Sequence, residues 1–117
     1  MKLIDSLIGY SKSLFKLNVL TFDLYDILFA ITHLQNFPVD DDGEQYDLEN
    51  YGFTEITDTK IVFYCGGDWQ SPIEVTVELV NKMPTITKTE KIENFGQYRG
   101  NEIPEEKVYE LLNLPYL

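Results

Sequence analysis

The amino-acid sequence predicts an α+β fold, with two N-terminal helices, a three- or four-stranded antiparallel β-meander and one short C-terminal helix. Near the N-terminus, apolar residues recur at three-to-four spacing, which is the period of an amphipathic helix. From residue 53 onward the apolar period becomes two, which is the period of a strand. The 117 residues, 44% of them hydrophobic, suit a single globular domain over 1–117.

Two helices are expected in the first third of the chain. The first covers residues 3–16, where one stripe contains Leu3, Ile4, Leu7, Ile8, Leu14 and Phe15. The second covers 21–35, with Thr21 as the N-cap and Asp23 in the first turn, where the helix dipole favours a negative charge. Because this second helix is apolar around most of its circumference, it is expected to be buried on two sides or to form a homodimer.

Four segments have the pattern of strands. Phe53–Thr57 is the first, and Lys60–Cys65 is expected to be central because it is apolar on both faces. Ile73–Val80 alternates apolar and polar residues. Thr85–Ile92 is rich in Thr and Lys, which is typical of an edge strand. After these strands the pattern predicts a loop over Phe95–Glu102.

The C-terminal helix is expected over Pro104–Leu112. Proline suits the first turn of a helix, and Glu105 and Glu106 suit the positive end of its dipole. Val108, Leu111 and Leu112 are the residues expected to face the core.

The charge is strongly negative and unevenly distributed. Nine Lys and Arg against 20 Asp and Glu give a net charge of −11. Between Leu17 and Thr59 there is no basic residue, but there are ten acids: Asp23, Asp26, Asp40, Asp41, Asp42, Glu44, Asp47, Glu49, Glu55 and Asp58. The asymmetry predicts an acidic face. Such a chain is repelled by nucleic acid and by anionic membranes and is attracted to basic proteins.

The cysteine content and the hydrophobic segments favour a cytoplasmic location, in a bacterial cell or in a host cell. Cys65 is the only cysteine, so no intramolecular disulfide can form. The residues after Met1 do not have the pattern of a signal peptide. The most apolar stretch, residues 19–34, includes Asp23 and Asp26 and is too short and too charged to cross a bilayer.

The segment 36–52 is a long acidic connection with three interpretations. Its spacing partly matches an EF-hand, with Asp40 and Asp42 at ligand positions three and five and Glu49 at position twelve. Pro38, however, falls at position one and has no side-chain ligand. The segment is therefore a solvated loop, a partner-binding loop or a weak calcium site, and no cofactor is expected.

No catalytic motif stands out, and the chain is not expected to be an enzyme. His33 and Cys65 are the only His and Cys, and nothing in the sequence places them together. Gly66 and Gly67 lack the spacing and the lysine of a phosphate-binding loop. They predict a turn between strands, in which Trp69 either is exposed as an interface anchor or caps the sheet core.

The leading hypothesis is an acidic inhibitor that blocks a basic, nucleic-acid-handling protein by mimicking phosphate charges. In size and charge the chain is similar to phage inhibitors of bacterial defence, such as anti-CRISPR proteins, although no motif supports that analogy. The alternatives are an immunity protein that neutralises a toxin nuclease, and a self-assembling structural phage protein. The predicted partner-binding residues are Asp40, Asp41, Asp42, Glu44, Asp47, Glu49, Tyr46, Tyr51 and Trp69.

Overall fold

The computed structural model of the chain describes residues 1–15 and 23–114, apart from the side chain of Phe15. The elements are α1 (Leu3–Phe15), α2 (Leu24–Ile31), β1 (Asn50–Ile56), β2 (Lys60–Gly66), β3 (Ile73–Val80), β4 (Met83–Lys91), α3 (Phe95–Tyr98), a 3₁₀ turn (Arg99–Asn101) and α4 (Glu105–Leu112). The order of elements confirms the predicted α+β fold.

The four strands form one antiparallel sheet in the order β1-β2-β3-β4. β2 is central and is buried from Ile61 to Gly66, as its apolar run predicts. β4 is an edge strand with five exposed residues at its C-terminal end, again as predicted. Each connection between neighbouring strands is short, so the sheet is a meander.

One hydrophobic core joins the helices to a single face of the sheet. Phe53, Phe63 and Val75 enter it from the strands, and each is at most 2% exposed. From the helices it receives Leu3, Leu7, Leu24, Ile27, Leu28, Ile31, Val108 and Leu112. Burial of a side chain of this size contributes about 1.5–3 kcal/mol relative to leaving it exposed to water.

The start of α2 differs from the prediction. Asp23 is the N-cap and not a first-turn residue, because its backbone is extended (φ −101°, ψ 176°). Asp23 Oδ1 accepts a hydrogen bond from the Asp26 backbone N–H at 2.9 Å, and Asp26 Oδ2 accepts one from the Asp23 N–H at 3.2 Å. This reciprocal capping box satisfies two backbone donors. The predicted start at Thr21 and the predicted end of α1 at residue 16 lie outside the described residues.

The apolar character of α2 has an explanation within the chain. Leu24, Ile27, Leu28, Ala30 and Ile31 are all buried in the core that the helix shares with the sheet. Tyr25 and Phe29 remain 50% and 40% exposed. The helix ends at Ile31, not at residue 35, and residues 32–36 continue as turns.

Three other element boundaries differ from the prediction, and for β4 and α3 the local turn or cap explains the difference. β4 begins at Met83 because the hairpin turn uses only Asn81 and Lys82, both with positive φ (51° and 65°). β1 begins three residues before the predicted Phe53, at Asn50. The predicted loop 95–102 contains α3, whose N-cap Asn94 accepts a hydrogen bond from the Gln97 N–H.

The C-terminal helix, α4, ends at Leu112 as predicted and begins at Glu105, one residue after the predicted start. Val108 and Leu112 face the core as predicted, but Leu111 does not, since it is 44% exposed. Pro104 is its N-cap, and the helix ends before Asn113, which is in the left-handed conformation (φ 56°). Among the residues that the structure describes, no helix is both long enough and apolar enough to cross a membrane.

Gly52 allows a close approach on the outer face of the sheet. A Cβ atom at this position would overlap the Glu102 carboxylate and the Tyr64 ring. The Tyr64 ring cannot easily move, since it packs edge-on against Phe95 and Tyr98. We therefore expect Gly52→Ala to lower the free energy of unfolding by about 1–3 kcal/mol in urea denaturation.

Gly9→Ala is the matched control for Gly52→Ala. Gly9 lies inside α1, and a Cβ atom there would have nothing within 4 Å. The substitution should raise the free energy of unfolding by about 0.5–1 kcal/mol, through helix propensity alone. Equal effects of the two substitutions would contradict the packing described around Gly52.

Candidate functional site

The acidic segment lies at one end of the sheet. Because the strands alternate in direction, β1 and β3 begin at the end where β2 and β4 finish. Residues 40–49 lead into β1 at this end, and residues 67–72 connect β2 to β3 there. We call this region the acidic end and define it by Asp40, Asp41, Asp42, Glu44, Asp47, Glu49 and Asp68.

Four of the ten acids between Leu17 and Thr59, the stretch without Lys or Arg, lie away from the acidic end. Asp23 and Asp26 cap α2. Glu55 is near the far end of β1, where it pairs with Lys60, and Asp58 is in the following turn, where it pairs with Lys2. The predicted acidic face is therefore smaller than the basic-free segment, because these four residues have local structural roles or cationic partners.

Residues 39–45 form an ordered turn. Val39 and Gln45 form an isolated antiparallel bridge. Asp40 Oδ1 accepts hydrogen bonds from the backbone N–H groups of Asp42 and Glu44, at 2.9 and 3.0 Å. These hydrogen bonds explain why Asp, which readily bonds nearby backbone donors, begins the turn.

Gln70 ties this turn to the β2–β3 connection. Its Oε1 accepts hydrogen bonds from the N–H groups of Gly67 (2.8 Å) and Asp47 (3.0 Å). Its Nε2 donates to Asp40 Oδ2 (2.7 Å) and to the Gln45 carbonyl (3.3 Å). The bond from Gln70 is also the main reason why the pKa of Asp40 lies below its usual value. One amide therefore holds both parts of the acidic end.

A second set of hydrogen bonds fixes the tip of the connection. Glu49 Oε2 accepts from the Asp68 backbone N–H at 3.4 Å, and Asn50 Nδ2 donates to Asp68 Oδ1 at 3.3 Å. Trp69 follows directly and is 67% exposed. Of the two roles that the sequence allows for Trp69, the structure excludes the cap on the sheet core.

The two predicted tyrosine anchors are placed differently. Tyr46 is only 3% exposed and belongs to the core, and this burial raises the pKa of its hydroxyl. The Tyr46 side chain is therefore not at the surface in this structure, unlike Trp69. Tyr51 is half-buried, with its ring edge-on to Phe53 at 6.5 Å between centroids, and burial likewise raises its pKa.

The acidic end keeps most of its charge. Within residues 1–15 and 23–114, Asp41 is its one member with a cationic partner, at 3.2 Å from Lys91 Nζ. Both side chains of that pair are largely exposed, at 91% and 63%, so water screens their attraction. Asp42, Glu44 and Asp47 are exposed at the surface. The acidic end can therefore attract a positively charged surface.

The geometry gives little support to a calcium site. In the described part of the chain, no group of three or more His, Cys, Asp or Glu side chains is placed to hold a metal ion. Both oxygens of Asp40 already accept hydrogen bonds within the protein. Glu49, at the twelfth EF-hand position, bonds the β2–β3 connection instead.

Cys65 has the environment of a structural residue and not of a nucleophile. It is 0% exposed on the inner face of β2, and burial, followed by the charge of Asp47, raises the pKa of its thiol to about 12. A nucleophilic cysteine needs a lowered pKa and access to solvent. His33 is exposed after the end of α2, where its Nδ1 lies 2.9 Å from the Phe29 carbonyl oxygen.

Sequence reasoning missed the residues that assemble the acidic end. Gln70 bonds residues 23 to 30 positions away, and no local pattern signals this. Gly67 carries a weak signal, because a Cβ atom there would lie 3.0 Å from Asp47 Oδ2 and 3.3 Å from Gln70 Oε1. Glycine at this position therefore allows the two loops to approach each other.

Comparison of the chain with protein-family models, with curated proteins and with solved structures finds no match.

Removal of the Gln70 amide should loosen the acidic end. Gln70→Ala leaves the buried Gly67 N–H without its acceptor, so we expect it to lower the free energy of unfolding by about 1–3 kcal/mol. Gln45→Ala is the control, because only the backbone of Gln45 takes part in the network. Similar unfolding midpoints for the two variants in urea would contradict this role of Gln70.

Cys65 should make the fold sensitive to alkali. The unfolded chain releases the thiol proton near pH 9 and the folded chain near pH 12, so the stabilisation is complete below pH 9 and is lost as the pH rises. The slope of this loss should be about 0.7 kcal/mol per pH unit at pH 9 and should approach about 1.4 kcal/mol per pH unit above pH 10, where the unfolded thiol is ionised. The pKa values of Tyr46, Tyr51, Tyr64 and Tyr98 are also raised and act in the same direction at higher pH.

Urea denaturation between pH 8.5 and 10 measures this slope. In that range Cys65→Ala should show a shallower fall of stability with pH than the wild type, whatever its stability at pH 7. Parallel slopes for the two proteins would show that the thiol is not protected by folding.

Proposed function

We propose that the protein is an inhibitor that binds a basic, nucleic-acid-handling protein and occupies the surface on which that protein binds phosphates. The observation that carries this proposal is the acidic end itself. Seven carboxylates lie on two chain segments that the Gln70 amide joins, next to an exposed Trp69.

Carboxylates can replace phosphates at such a surface because lysine and arginine side chains donate to either anion. Opposite charges also speed association and orient the two proteins before contact. The exposed Trp69 adds a large, stiff aromatic side chain, which is the residue type most often found to dominate the binding energy of an interface.

A binding role fits the rest of the site better than a catalytic role does. The one thiol is buried and protonated, and both Asp40 oxygens are hydrogen-bonded within the fold. With a net charge of −11, the chain is expected to bind neither nucleic acid nor anionic membranes directly. We therefore keep the proposal of a cytoplasmic inhibitor of the anti-CRISPR or wider phage anti-defence type.

An immunity protein for a toxin nuclease is the alternative that uses the same surface. Its partner would also be basic, and its acidic end would cover the cleft that binds nucleic acid. Self-assembly through α2 has less support, because Leu24, Ile27, Leu28 and Ile31 are buried in the chain's own core. Tyr25 and Phe29, at 50% and 40% exposure, are the part of the helix that a second copy could still contact.

The test is capture of a partner from an extract of the source cell or its host. We expect the immobilised wild type to retain a basic protein that duplex DNA displaces. Salt at about 1 M should also release it, since the Debye length there is about 3 Å. The triple variant Asp42→Asn, Glu44→Gln, Asp47→Asn should bind that protein about 10- to 100-fold more weakly, at roughly 0.5–1 kcal/mol per exposed charge.

A control variant with the same net charge shows whether binding depends on where the carboxylates lie or only on how many there are. Asp58→Asn, Glu106→Gln and Glu110→Gln also remove three exposed carboxylates, and none of the three belongs to the acidic end. This control should bind like the wild type. Equal weakening by both triple variants, or a complex that resists salt and DNA, would overturn the proposed function.

A further inference from the structure

A cleft of about 370 Å³ opens next to the acidic end, on the outer face of the sheet. Its buried lining consists of Tyr64, Gly66 and Gly67, so these residues form the inner wall. Glu49 and Asp68 line it too, and both residues are exposed to solvent. The cleft is continuous with the acidic end, because Glu49 and Asp68 belong to both.

The inner wall is aromatic and firmly held. The Tyr64 ring is 3% exposed and packs edge-on against Phe95, at 4.9 Å between centroids, and against Tyr98 at 6.0 Å. Phe95 also lines the cleft. Phe95 is partly exposed, whereas Tyr64 is buried behind it. A ligand in the cleft would therefore meet the Phe95 ring, which Tyr64 holds in place.

The charges around the cleft favour a cation. Glu49 and Asp68 each use one carboxylate oxygen in a hydrogen bond, Glu49 to the Asp68 N–H and Asp68 to Asn50 Nδ2. For the other oxygen of each, the described residues provide no hydrogen-bond donor. Arg99 also lines the cleft, but its Nε lies 3.4 Å from Glu102 Oε2, so its charge is already balanced.

We propose that this cleft binds one arginine side chain of the basic partner. The guanidinium would lie between the Glu49 and Asp68 carboxylates, and its aliphatic stem would lie along the Phe95 ring, which lines the cleft and is partly exposed. Arginine fits better than lysine because its planar fork can serve two carboxylates at once and can stack on an aromatic ring. The inference rests on the proposed function, to which it adds a specific anchor point.

Two peptides of equal charge test the inference, hexa-arginine and hexa-lysine, each titrated into the full chain by calorimetry. If electrostatic attraction alone acted, the two peptides would bind with equal affinity. The cleft should make the wild type bind hexa-arginine about tenfold more tightly than hexa-lysine. In NMR spectra, hexa-arginine should also shift the Gly66 and Gly67 amide signals.

Two variants with equal net charge show whether the preference for hexa-arginine comes from the cleft. Glu49→Gln, Asp68→Asn keeps the oxygens that accept the internal hydrogen bonds but removes both charges from the cleft, and should abolish the preference for arginine. Asp42→Asn, Glu44→Gln removes two charges outside the cleft. This variant should bind both peptides more weakly by the same factor and should keep the preference for hexa-arginine.

Equal affinity of the wild type for the two peptides would overturn the inference, as would a preference for arginine that survives in the cleft variant. Shifts of the Gly66 and Gly67 signals with inorganic phosphate would also overturn it, since they would mean that Arg99 makes the cleft an anion site. These outcomes test the cleft alone and do not decide the proposed function. Salt-sensitive capture of a basic partner that depends on the acidic end could still hold after the peptides bind equally.

Discussion

The side-chain amide of Gln70 is the interaction on which the acidic end depends. It has two donors and two acceptor positions, and all four are used to join the turn at residues 40–45, Asp47 and the β2–β3 connection. Without it, the turn at residues 40–45 and the β2–β3 connection would lie at the same end of the sheet but would lose these hydrogen bonds between them. Fixing them in advance reduces the entropy lost when a partner binds.

The sheet topology explains why these loops meet at all. A four-stranded antiparallel meander brings alternate connections to the same end, and the segment before β1 enters at that end too. The helices α1 and α2 cover one face of this sheet and supply its core, so the acidic end is supported without contributing much apolar area itself. Buried Tyr46 is the exception, because it anchors the acidic segment in that core.

Local patterns predicted the elements well and predicted the site only in part. The alternation in β3 and the continuous apolar run of β2 correctly indicated an inner and an outer sheet face, because burial on the sheet imposes those periods. The charge distribution pointed to residues 40–49, which the structure places beside the β2–β3 connection at one end of the sheet. Asp23 was expected in the first turn of α2 and is its N-cap instead, because Asp suits both positions and only the extended backbone at Asp23 decides between them. Gln70, the exposure of Trp69 and the burial of Tyr46 depend on contacts between distant segments, for which a single sequence carries no periodic signal.

The measurement that tests this account most directly is amide hydrogen exchange of the folded protein, followed residue by residue by NMR. The amides of Gly67 and Asp47 both donate to Gln70 Oε1, whereas the amide of Trp69 belongs to the exposed tip of the connection. The account predicts that Gly67 and Asp47 exchange far more slowly than Trp69, and that Gln70→Ala removes this protection while the amides of β2 stay protected. Exchange of Gly67 and Asp47 at the rate of Trp69 in the wild-type protein would contradict it, because the acidic end would then be two mobile loops and not one prearranged surface.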